Sequence, residues 1–230
     1  MGFERRLPKV SPKFSLEKAH AIQLQLAKRV IRKDELPDTI RYVAGVDVAY
    51  TRGISIGAAV VLASVSLSPL ESHVSSVKTR FPYIPTLLSF REVPPALSAI
   101  RKLRVIPDVF LVDAHGIMHP YRLGFAAHLG LVMNRPTIGV AKSPLCGKPE
   151  PLRGGRWAPI VDGEEVIGAK VVTKRGEKSV YVSIGHKISL ETAINIVIDC
   201  TRTHRIPEPT RKAHEMASEG KRRLTYTQRL

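Results

Sequence analysis

Apolar positions along this chain change period several times, and each change marks an element. Between residues 16 and 32, Leu16, Ala19, Ile22, Leu26, Ala27 and Val30 recur at helical spacing, with Lys and Arg largely on the other side. Ser15 stands where an N-cap is wanted, so the pattern predicts a helix over 16–32 that packs through this stripe. Three β-rich runs come next, 40–50, 54–63 and 73–80, separated by the turn-like TRG at 51–53 and LSPL at 67–70; they predict an antiparallel meander. Residues 81–87, FPYIPTL, break regular structure with two prolines, and 87–103 reads as partly helical, its start disturbed by Pro94 and Pro95. Short buried strands are predicted over 109–112 and 137–140, with a Gly- and His-rich loop and a helix over 123–133 between them. Two further strands, 166–173 and 179–184, flank the turn KRGEK, and helices over 190–203 and 210–218 close the pattern.

An acidic residue interrupts or succeeds three of these segments. Asp47 lies within YVAGVDVAY (42–50), Glu92 comes after LLSFR (87–91), and Asp113 after DVFLV (108–112). Taken singly, each is better explained as the end of a strand or the cap of the next element. Taken together they read differently, because Val48 and Ala49 carry the apolar run past Asp47 and hold its carboxylate close to the core. A charge there needs a partner or a metal. Acid side chains gathered at strand ends and an adjoining helix are a usual way to hold Mg²⁺ for phosphodiester chemistry.

Charge supports a nucleic-acid partner. The chain has 36 Lys and Arg against 20 Asp and Glu, a net +16, with a sequence pI of 10.2. The surplus is uneven: residues 1–33 carry +7, 211–230 carry +4, and the 177 residues between carry +5. Solvated basic tails and a membrane-surface role are the competing explanations of such ends. At 230 residues with 43% hydrophobic positions, one domain over 1–230 is expected, with the basic ends 1–14 and 219–230 as candidates for flexible segments. No stretch approaches the roughly 20 apolar residues needed to span a bilayer, and the first 14 residues lack the apolar centre of a signal peptide, so a cytoplasmic protein without a membrane partner is expected; a monomer is expected as well, though nothing in the sequence shows the oligomeric state. Cys146 and Cys200 form no metal-binding spacing and read as buried small residues. His115 and His119 are spaced i, i+4, but Gly116 and Pro120 place them in a loop, which argues against a zinc site with His128. Arg153 to Arg156 lacks the ending of a phosphate-binding loop, and Trp157 reads as packed.

The order three strands, helix, strand, helix, strand, helix is that of the ribonuclease H-like fold, an α/β arrangement with a mixed central sheet and helices on both faces, though order alone leaves other α/β folds open. The segments around the carboxylates are more specific. GVDVAY (45–50), FPYIPTLLSFRE (81–92), VDAHGIMHPYRLGFAAHLG (112–130), TIGVAKSPLCG (137–147), SIGHKISLETA (183–193) and RIPEPTRKAH (205–214), in that order, closely resemble the endonuclease V family. The resemblance runs over about residues 16–218. It implies a ribonuclease H-like, metal-dependent endonuclease acting at deaminated bases, chiefly deoxyinosine in DNA. By the same resemblance it hydrolyses the second phosphodiester 3′ to the lesion and leaves 3′-hydroxyl and 5′-phosphate ends.

Carried over by position, the resemblance makes Asp47 and Asp113 the metal-holding carboxylates and Glu92 the third acidic member, with Mg²⁺ as cofactor and Mn²⁺ a substitute. Lys142 and His214 resemble the family's catalytic lysine and histidine. Pro82, Tyr83, Ile84 and Pro85 resemble its DNA wedge, and a rigid loop with an aromatic tip suits insertion into a base stack. The pocket for the extruded base is expected at Thr86, Leu88, Ala114, His119, Gly124 and Phe125. Where the family usually has Gly, this chain has Thr86 and Ala114; where it has Arg, Tyr121; and where it has Pro, Ile184. The two added Cβ atoms restrict positive φ and crowd the pocket, which leaves base choice less fixed than cleavage. An inosine-directed endoribonuclease and a non-catalytic nucleic-acid-binding module are the alternatives.

Overall fold

A computed structural model describes residues 15–152 and 155–227. Expectations for residues 1–14, for Arg153 and Gly154, and for 228–230 lie outside the described residues. The meander forms: β1 (Tyr42–Thr51) pairs antiparallel with β2 (Ile54–Ala63), and β2 with β3 (Pro69–Lys78), which begins earlier than its sequence pattern suggested. On its other edge β1 pairs in parallel with β4 (Val109–Val112), and β4 with β5 (Thr137–Ala141). Two strands with no sequence prediction, β6 (Lys148–Pro149) and β7 (Trp157–Asp162), join β8 (Glu165–Val171) and β9 (Val180–His186) to complete one sheet in the order β3-β2-β1-β4-β5-β9-β8-β7-β6.

Helices cover both faces, and alternation along β1 sets which residue meets which helix. Val43 faces one cluster with α4 (Leu190–Asp199) and α5 (Glu208–Thr227). Ala44, Val46 and Val48 face another with α2 (Leu88–Ile100) and α3 (Phe125–Met133). Two glycines let helix backbone touch sheet backbone. A Cβ at Gly45 would lie 1.8 Å from the Pro209 carbonyl oxygen, and one at Gly57 2.0 Å from that of Pro95. Pro94 and Pro95 therefore sit inside α2 rather than disturbing it; Pro95 occupies the contact point with β2, and the helix continues through both.

Other expectations need correction. The first helix, α1 (Leu16–Ala27), stops short of residue 32, and Leu16 and Ile22 are exposed while Ala19 and Gln23 are buried. Part of the apolar stripe read from sequence holds, with Ala19 buried, Leu26 and Ala27 half-buried and Val30 packed on the core, but Leu16 and Ile22 face outward because the helix meets its neighbours through Gln23 as well. α5 extends to Thr227, so residues 219–227 of the basic C-terminal end are helical. Trp157 is exposed, since it stands at the outer part of the sheet on β7, and Cys146 is only half-buried while Cys200 is buried. No helix among the described residues is long and apolar enough to cross a membrane.

Candidate active site

The parallel pairing of β1 and β4 ends at Val46 and Val112, and the next residue on each strand is an aspartate. The Asp113 amide donates to the Val46 carbonyl at 3.0 Å, which fixes the two carboxylates side by side where β4 ends and β1, running on to Thr51, loses its parallel neighbour. In open α/β sheets this is where the crevice lies. The close seat of α5 over Gly45 brings His214 above them: its Nδ1 is 2.7 Å from Asp47 Oδ2 and 3.7 Å from Asp113 Oδ2. From the end of β5, Lys142 Nζ donates to Asp113 Oδ2 at 3.0 Å. Asp47, Asp113 and His214 each offer a ligand atom within 4.8 Å of the others, and they form the one such group among the described residues. His115, His119 and His128 form none.

Glu92 enters from α2 and is buried. It stands outside that close group of ligand atoms but near enough to feel both aspartates. Burial, with the charges of Asp47 and Asp113, pushes its carboxyl up to about 8. Burial and Asp113 likewise push Asp47 up to about 6, against a 2.7 Å hydrogen bond from the Val48 amide and the contact with His214. Behind Glu92 the Arg91 guanidinium lies 4.0 Å over the Tyr50 ring. Burial, then the Glu92 charge, raises the Tyr50 phenol above its ordinary value. Three carboxylates this close, two of them held up by burial and mutual repulsion, form an oxygen-rich site with surplus negative charge that fits a hard divalent cation.

A cavity of about 290 Å³ opens onto the carboxylates. All six positions expected for a base pocket, Thr86, Leu88, Ala114, His119, Gly124 and Phe125, line it. So do Glu92 and Asp113 from the acidic group, and Tyr83 and Pro85 from the loop before α2. Tyr83 is exposed at the loop tip, whereas Pro82 and Ile84 do not reach the cavity. Ser89, His115 and Leu145 complete the lining and were not singled out from sequence as pocket residues. Burial pushes His115 and His119 down to about 4, so both are neutral near pH 7. The Tyr121 amide donates to His119 Nδ1 at 3.1 Å, which leaves the ring proton on Nε2.

Thr86 keeps a left-handed backbone, φ +69°, despite its branched side chain, whereas Ala114 needs no positive φ. The hydroxyl of Thr86 lies 3.0 Å from His20 Nε2, and the His20 ring stacks on Tyr121 with centroids 4.0 Å apart.

A family model described as Endonuclease V matches residues 24–215. This chain belongs to the endonuclease V family. An endonuclease V from Nostoc sp. is 48% identical over 208 residues, covering 89% of this chain and 94% of the relative. The crystal structure of endonuclease V from Streptomyces avermitilis is similar with a TM-score of 0.86 at 37% identity, over 92% of this chain and 95% of that one. Endonuclease V of Ciona intestinalis was solved in complex with a 24mer DNA containing an inosine followed by a ribo-adenosine. It matches with a TM-score of 0.82 at 32% identity, over 91% and 98% of the two chains. The family's structures have the ribonuclease H-like fold, and the mixed sheet with helices on both faces is its form here.

Proposed function

We propose that this chain is a DNA-repair endonuclease that recognises deoxyinosine and hydrolyses the second phosphodiester bond 3′ to it, leaving 3′-hydroxyl and 5′-phosphate ends. The observation that carries this reading is the shared cavity: the positions expected to hold a base line the same hollow as Glu92 and Asp113. Family membership and the inosine-containing DNA bound by the Ciona intestinalis relative support the substrate.

Asp47 and Asp113 would hold Mg²⁺, or Mn²⁺ in its place, with His214 beside both and Glu92, outside the close group, as the third acid. When bound, the ion supplies positive charge to the phosphate oxygens and acidity to water. The chain's own groups do the rest. Lys142, held by Asp113, places its ammonium where charge develops on phosphorus oxygens. His214 presents an exposed imidazole, oriented by Asp47 through Nδ1, whose Nε2 can take the proton of an attacking water. Tyr83 and the prolines around it occupy the stack that the extruded nucleotide leaves. In the pocket, a backbone donor facing O6 and an acceptor facing N1–H select hypoxanthine over adenine, since unpaired buried groups reject the wrong edge.

The test is a labelled inosine duplex incubated with Mg²⁺ or with EDTA, beside uracil, xanthine and abasic duplexes, with the ends of the product mapped. An EDTA-sensitive nick at the stated bond is expected. Binding without any nick would instead make the chain a non-catalytic nucleic-acid-binding module. A second reading, cleavage of inosine-containing RNA, draws on the ribo-adenosine beside the inosine in the relative's ligand. Matched DNA and RNA oligonucleotides separate the two through their tolerance of the 2′-hydroxyl.

A further inference from the structure

The two walls of the base cavity belong to distant parts of the chain: Thr86 lies before α2, and Gly124 opens α3. One side chain joins them from outside. Gln23 on α1 is fully buried, and its Nε2 donates to the Thr86 carbonyl at 2.7 Å, with a longer contact to the Leu123 carbonyl at 3.4 Å. A primary amide has two N–H groups in one plane, so both acceptors fix its orientation; the reverse orientation would set oxygen against two oxygens. The remaining Oε1 is buried and has no protein partner among the described residues. A buried amide left half-satisfied is costly, and its retained donors point to a task at the pocket rather than to packing.

The same helical face adds a second hold. His20, one turn before Gln23, contacts the Thr86 hydroxyl at 3.0 Å and stacks on Tyr121, whose amide orients the ring of His119 inside the cavity. Thr86 needs such support, because φ +69° is a conformation that branched residues avoid. Without it the carbonyl and side chain at the pocket rim would relax to an ordinary backbone and reshape the mouth of the cavity.

We propose that Gln23, with His20 beside it, is a positioning residue that sets the width and edge of the base pocket and so determines which deaminated base is cut. The inference rests on the reading of this cavity as the base site. Gln23 touches no reacting atom; it acts through Thr86 and Leu123.

The experiment compares single-turnover nicking of inosine and uracil duplexes by the unchanged protein, Gln23→Met, Thr86→Gly and the double variant. Gln23→Met keeps the volume and removes both donors. It is expected to lower the inosine-over-uracil ratio about tenfold, the size of one lost hydrogen bond. Glycine adopts positive φ unaided, so adding Gln23→Met to Thr86→Gly should change the ratio by less than about threefold, and the two effects should be non-additive. Thermal melting of each variant separates this from loss of fold: a shifted Tm with an unchanged ratio in Gln23→Met overturns the proposal, as does full additivity. If the unchanged protein fails to nick inosine duplexes, the reading of the site falls and the inference with it. Inosine nicking with no change in ratio removes the inference alone.

Discussion

His214 Nδ1 lies 2.7 Å from Asp47 Oδ2, joining α5 to β1 across 167 positions of sequence. The contact depends on a glycine: at Gly45 the Pro209 carbonyl fills the space of a Cβ, so the start of α5 sits directly on the strand that carries Asp47. Gly45→Ala is therefore expected to push the helix start outward, destabilise the fold by about 1–3 kcal/mol or more, and reduce nicking as His214 moves. Chemical denaturation and a nicking assay check both halves; an unchanged midpoint would contradict the close approach.

Asp47→Ala and Asp113→Ala should each lower the nicking rate of an inosine duplex by roughly 10³ or more while leaving duplex binding in place, since the basic surface remains. Gel-shift and nicking assays on the same preparations measure the split. Near-normal cutting by both variants would remove these residues from the metal site.

Lys142→Ala should reduce the single-turnover rate by roughly 10²-fold at saturating enzyme with little change in binding, as expected for one donor aimed at developing charge. A loss confined to affinity would make Lys142 a phosphate anchor instead.

Tyr83→Ala should weaken recognition of inosine by about ten- to a hundredfold, the scale of one stacking contact, with a much smaller effect on undamaged duplex. Competition binding with both duplexes reads the difference. Equal losses would count against insertion of this ring.

Stability of the metal-free protein should fall as pH rises from about 6.5 through about 8. Glu92 is raised to about 8 and Asp47 to about 6 from ordinary values near 4.5 and 3.8, so the fold prefers their protonated forms. Between those ordinary and raised values these two groups bind more protons in the folded state than in the unfolded one; below about pH 6.5 the buried His115, His119 and His128, each pushed down to about 4, have the opposite sign, so the fall belongs to the range above it, where Glu92 still holds its proton. The contribution is complete below about pH 4 and lost by about pH 8, amounting to a few kcal/mol at most. Tm measured in EDTA from about pH 6.5 through about 8 should decline; Mg²⁺ should restore it near pH 8, and Glu92→Gln should flatten the decline. A flat profile for the unchanged protein would show that the acidic group is not under strain.

Much of this arrangement is legible in sequence because strands state their own period. The meander, the two short parallel strands and the three acids, Asp47 within β1, Glu92 on α2 and Asp113 after β4, emerge from apolar runs and the residues that interrupt or follow them. The six pocket positions come from motif resemblance, and they do line one cavity. Gln23 could not be found this way. A glutamine between Ile22 and Leu24 reads as the solvent side of a helix, and only tertiary contact with Thr86 and Leu123 shows it to be buried. The same error turned part of the face of α1 and overextended it past Ala27. β6 and β7 escaped notice because an exposed two-residue strand and one broken by Pro159 carry too little alternation to count.

Gly45 and Gly57 have a mechanical consequence. With helix carbonyls resting on bare strand backbone on both faces of β1 and β2, no side chain lies between to yield. Such a frame is stiff, so for the proposed reaction the elastic work of bringing a phosphodiester to the acids would fall on the nucleic acid. A well-stacked, fully paired helix resists that work, while a wobble or mismatched inosine gives way more readily. Under the proposed function, discrimination would then begin in how the substrate bends, before any atom of the base is read.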